Sequence, residues 1–78
     1  LERGKLEAAT LVGANLSNAD LKAANFKSGN LSHVNLQGAY LKSANLTNAN
    51  LTNANLTNAN LTNANLTNSK ITRLGAKN

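Results

Sequence analysis

Ala44-Asn45-Leu46-Thr47-Asn48 is followed by four unchanged copies of itself, the last ending at Asn68. Working outward from this stretch, a large apolar residue recurs at every fifth position. The series runs Leu1, Leu6, Leu11, Leu16, Leu21, Phe26, Leu31, Leu36, Leu41, Leu46, Leu51, Leu56, Leu61, Leu66, Ile71, and none of its members is polar. Two residues before the large one stands a small one, as in Ala9, Ala14, Ala44 and Ser69; Gly29 is smaller still and Val34 is the bulky exception.

A period of five matches neither the 3.6-residue helix nor the two-residue strand. A three-residue strand followed by a bend meets it. The large apolar residue is the centre of its pentad; it and the small residue two before it share one face, because alternate strand residues do. The Asn between them points outward, and the next two residues, such as Thr47-Asn48, carry the bend. Five is odd, so the chain must turn in every pentad to keep both apolar positions inside. Turns of one hand close a coil, and coils stack by parallel backbone pairing at roughly 4.8 Å.

The words Ala14-Asn15-Leu16-Ser17-Asn18 and Ala19-Asp20-Leu21-Lys22-Ala23 resemble those of the pentapeptide-repeat proteins, and the resemblance covers Leu1 to about Leu74. It implies an all-β fold, a right-handed quadrilateral parallel β-helix with four pentads per coil. On that geometry the chain forms a single solenoid over residues 1–75, just under four coils, with 76–78 as a tail. Lys22 and Lys42 then lie one coil apart at the same pentad position and stack on one face. A one-residue register slip would expose every Leu, whereas a five-residue slip only rotates the chain by one side. Phe26, Gly29, Val34 and Tyr40 break the monotony and are expected to fix the register, with Gly29 and Val34 offsetting one another in volume.

The 78 residues allow one domain. A compact globule of that size has a marginal core, and zero Cys rules out disulfide staples. A solenoid escapes the limit because each turn needs only its neighbours. With no Met in the chain, Leu1 is expected to follow upon processing or to lie within a longer protein. No apolar run reaches membrane-spanning length, so no membrane partner is expected, and nothing fixes the compartment.

Candidate chemistry is sparse. His33 is the only His, at an outward bend, and reads as a solvated corner residue. No Cys or second His completes a metal site. Glu2, Glu7 and Asp20 are too scattered for an acid/base pair, and the Ser and Thr hydroxyls have no accompanying base. The chain reads as non-enzymatic, without cofactor or metal. The Asn-x-Ser/Thr pattern at Asn15, Asn30, Asn45, Asn50, Asn55, Asn60 and Asn65 follows automatically from the repeat and carries no independent signal.

The net charge of +5 comes from eight basic residues, Arg3, Lys5, Lys22, Lys27, Lys42, Lys70, Arg73 and Lys77, against three acids. Between Ser43 and Ser69 there is no charge at all. Some members of the resembled family are acidic rods that imitate DNA and bind gyrase; a DNA mimic needs columns of carboxylate, which this chain lacks. Bases spread over two ends with a single Tyr argue against nucleic acid as a partner, although a basic-ended module for nucleic acid or another surface is the alternative beside the DNA mimic. Two Thr rows, Thr47 with Thr67 and Thr52 with Thr72, make a poor lattice for ice. The reading that remains is a structural or protein-interaction scaffold. Its neutral Asn/Thr walls suit a protein partner. Its terminal coils keep apolar residues and strand edges open, so the expected self-interface comprises Leu1, Leu6 and Leu11 at one end and Leu66, Ile71 and Leu74 at the other, giving a dimer or a filament.

Overall fold

The computed structural model describes residues 4–71. Among them, every backbone ladder contact joins residues twenty apart, all in parallel: Lys5 with Asn25, Thr10 with Asn30, Asn15 with Asn35, Asp20 with Tyr40, and so on to Asn45 with Asn65. Twenty residues are four pentads, so the coil has four sides. The first side comprises residues 4–8, 24–28, 44–48 and 64–68. The second comprises 9–13, 29–33, 49–53 and 69–71; the third 14–18, 34–38 and 54–58; the fourth 19–23, 39–43 and 59–63. Strand β1 (Asn50–Leu51) pairs with β2 (Lys70–Ile71) in the same register.

These strands are two residues long, and elsewhere a single residue per side makes the ladder contact. The three-residue strand expected from the period is therefore too long. The turn explains why. The N–H of the small residue donates to the carbonyl of the preceding centre, as from Ala9 to Leu6 at 3.0 Å and from Ala49 to Leu46 at 3.0 Å. This four-residue turn begins on the centre itself and ends on the next small residue, leaving only the residue before each centre fully in the ladder.

The third turn residue has positive φ throughout: 59° at Ala8, 57° at Ala23, 60° at Asn48, 61° at Asn53, 58° at Asn68, and 71° and 68° at Gly13 and Gly38. A single left-handed residue at that place is the type II turn, which calls for Gly or Asn there. The last Asn of each perfect pentad thus has a conformational reason beyond facing water, since Asn tolerates the left-handed region better than most residues. Gly38 has a second reason: a Cβ there would collide with Oδ1 of Asn18 in the coil below.

The remaining donors find partners between coils. The N–H of each centre donates to the next coil, as from Leu46 to the carbonyl of Asn65 at 2.7 Å. That of the left-handed residue does likewise, from Asn48 to Thr67 at 2.9 Å. The Asn before the centre donates downward, from Asn45 to Ala24 at 2.9 Å. The fifth N–H has no backbone partner and is taken by a side chain: Oδ1 of Asn45 accepts from the N–H of Thr47 at 3.0 Å and from its hydroxyl at 2.6 Å. Asn15, Asp20, Asn25, Asn30, Asn35, Asn50, Asn55, Asn60 and Asn65 accept from the backbone in the same way. The outward Asn is folded back onto its own backbone in an Asx turn.

Inside, the centres and small residues form columns. Leu21 through Leu56 are buried, with Phe26 1% and Val34 0% exposed in the same coil as the buried Gly29. That coil therefore combines two oversized residues with one undersized one. No buried side chain among the described residues is polar.

Two predictions follow from these roles. Leu51→Ala should cost about 2–5 kcal/mol through the cavity it leaves, whereas Thr52→Ala should cost no more than about 1 kcal/mol, the worth of one hydrogen bond; urea denaturation measures both. Equal losses would contradict the inside/outside assignment. At the left-handed corner, Ala23→Asn should stabilise and Asn48→Ala destabilise, each by about 1 kcal/mol. Shifts of the same sign in the two variants would contradict the turn assignment.

Candidate interface

The built features that could engage a partner are the two ends of the stack and its four walls. At the first coil Leu6, Leu11 and Leu16 are only partly buried, and at the last Leu61 and Leu66 are too. Ile71 is 37% exposed. The same residue types one coil inward are fully covered, so the exposure follows from the lack of a covering coil within the described residues. Leu6 and Leu66 lie on the first side, Leu11 and Ile71 on the second. Leu1 and Leu74 lie outside the described residues.

Backbone groups show the same asymmetry. Among the described residues, the N–H groups of Thr10 and Asn15 in the first coil make no hydrogen bond, while those of Asn30 and Asn35, one coil on, donate downward at 2.9 Å. In the last coil the N–H groups of Leu61, Leu66, Asn63 and Asn68 make none, while Leu41, Leu46, Ser43 and Asn48 donate upward. One end offers donors where the other offers acceptors, in the spacing the coils already use on each other.

The walls hold little that is reactive. Glu7 lies on the first side, Asp20 on the fourth and His33 on a corner of the second. The described residues contain no cluster of three or more His, Cys, Asp or Glu that could hold a metal. Among the described residues, no helix is long and apolar enough to cross a membrane. Two features escaped the sequence reading. Val12 is 50% exposed at an outward position. Lys5 and Lys27 lie on the side adjoining that of Lys22 and Lys42, whose own stacking was expected from their twenty-residue spacing.

A four-sided stack of pentads with inward Leu and Ala columns is a β-helical solenoid. The family model for pentapeptide repeats (8 copies) matches residues 5–38 and 35–73, and the chain belongs to the pentapeptide-repeat family. Proteins of this family fold into the right-handed quadrilateral β-helix, a scaffold-like fold that is generally structural and non-enzymatic. The chain is similar to a pentapeptide repeat protein from the cyanobacterium Cyanothece 51142, with 39% identity and a TM-score of 0.43, over 88% of this chain and 47% of that one. It is also similar to one from the Arabidopsis thaliana thylakoid lumen, with 31% identity and a TM-score of 0.39, over 92% of this chain and 61% of that one. A third, from Nostoc Pcc 7120, has 35% identity and a TM-score of 0.37, over 90% of this chain and 65% of that one. The chain thus spans about half to two thirds of the length of these solved structures. The comparison with curated proteins returned no match.

The described acids, Glu7 and Asp20, stand on different sides and form no carboxylate column. DNA supercoiling by gyrase should accordingly be unchanged by micromolar amounts of this protein; clear inhibition would show that charge does not decide the matter.

Proposed function

We propose that this protein is a scaffold module that associates with copies of itself through the ends of its coil stack. The observation that carries the reading is the complementarity of the two ends. Unpaired strand edges recruit further strands, and here the upward N–H groups of Leu61, Asn63, Leu66 and Asn68 are those that every inner coil directs onto the coil above. An N-terminal edge supplies the matching carbonyls in the same parallel sense. Partly covered Leu6, Leu11 and Leu66 and the exposed Ile71 supply apolar area to the joint.

Head-to-tail stacking continues the parallel ladder and the Leu columns, whereas like-on-like stacking would require the coils to pair antiparallel. A head-to-tail contact does not close, so it grows. Lys5 near one end and Lys70 near the other oppose the approach, and salt screens that repulsion. Particle size measured by light scattering should therefore rise with protein concentration and with ionic strength. Ile71→Lys should suppress the rise while leaving the circular dichroism spectrum intact. A monomer at high concentration and high salt would overturn the proposal.

A further inference from the structure

The fold sorts the charges. Apart from Lys70, every charged residue among the described ones lies on the first or the fourth side, which meet along the corner where residue 23 leads into residue 24. On the fourth side Lys42 sits one coil above Lys22, as the hydrogen bond from Ala23 N–H to the Lys42 carbonyl at 2.8 Å fixes. On the first side Lys27 sits above Glu7 in the same way, through Ala8 N–H at 2.8 Å, and Lys5 pairs with Asn25 in the ladder. The lysines form no ion pair among the described residues. Four lysines against Glu7 and Asp20 leave this edge of the prism positive, while the second and third sides of the same coils are neutral.

Tyr40 stands beside Lys42 on that edge, directly above Asp20 in the ladder. It occupies the place before the centre, where Asn or Asp caps the backbone at every other described pentad from Asn15 to Asn65. Lys5, Thr10 and Lys70, in the end coils, are the other departures. The ring of Tyr40 cannot accept that bond, and the N–H of Lys42 makes none. The chain forgoes one of its repeated stabilising contacts there and displays an aromatic ring that is 54% exposed. Rule-breaking of this kind inside the stack, away from its end coils, points to a use outside the fold.

We infer that the Lys22–Lys42 edge with Tyr40 is a binding face for a single-stranded polynucleotide, the lysines contacting phosphates and Tyr40 stacking on a base. Rows of ammonium groups flanking an exposed ring are the combination by which strands are held without sequence preference. Coils succeed one another at roughly 4.8 Å, so Lys22, Lys42 and Lys27 fall within the reach of consecutive phosphates. The ribose or deoxyribose makes no difference to this chemistry.

Because the chain has one Tyr and no Trp, its intrinsic emission reports on Tyr40 alone. The experiment titrates the full chain with oligothymidylate and, separately, oligouridylate at several salt concentrations, following anisotropy of the labelled strand and tyrosine emission. Binding should quench the emission. Three phosphate contacts should give a slope of log K against log salt of about −2, falling to about −0.7 in Lys22→Gln/Lys42→Gln. Tyr40→Asn, which restores the backbone cap and so keeps the fold, should weaken binding about tenfold. Equal binding of both oligomers fits the proposal, and preference for one identifies the natural strand. Absence of binding at low salt, binding with unchanged tyrosine emission, or equally tight binding of polyglutamate would each overturn it.

Discussion

The structure depends on one turn made over and over. Every five residues the chain turns a corner through a left-handed residue, and the small residue after it donates its N–H to the carbonyl of the preceding centre. This brings the next large and small apolar residues back to the same interior. It also decides which backbone groups remain for the ladder. Two N–H groups per pentad reach upward, one reaches downward, one closes the turn, and the last is met by the Asn side chain before the centre. A mid-stack pentad with Asn or Asp before its centre therefore leaves no donor without a partner, which buried or crowded backbone requires; the pentad of Tyr40 is the exception.

That accounting explains why a chain with so little apolar bulk can hold a shape. The core contains one buried Phe and otherwise only Leu, Val and Ala. Each coil is a thin layer, but each is covered by the next, and the layers are tied by short, regular hydrogen bonds of 2.7–3.0 Å. Stability is then a sum over neighbouring coils, and it fails first where a coil has a neighbour on one side only. The exposure of Ile71 and the partial burial of Leu6 and Leu66 express that gradient.

The fold was legible in the sequence because burial has a period, and a period survives in one dimension. The spacing of Leu46, Leu51 and Leu56 placed them inside, where they are 0–2% exposed. The roles of the two Asn residues in each pentad were not legible, since both lie outside the core and polarity alone assigns them to solvent. What separates them is backbone conformation: Asn48 is there for its φ, Asn45 for its carbonyl oxygen. The strand length was overestimated for the same reason, because the period counts residues per side and says nothing of how many the turn consumes. Of the expected interface, Leu6, Leu11, Leu66 and Ile71 could be placed; the stacking of Lys22 with Lys42 was legible in their spacing, while the presence of Lys27 on the adjoining side needs the coil to be wound before it can be seen.

The four-sided winding gives chain length an angular meaning. Inserting or deleting one pentad would leave every Leu buried and every turn closed, yet it would swing all that follows through a quarter turn. Lys42 and Tyr40 would leave the edge that Lys22 occupies, with no loss in the core to reveal it. A change of twenty residues would lengthen the prism and keep each wall intact. Surface features on such a protein are therefore phased as well as positioned, and two chains of equal composition can present different sides to the same partner.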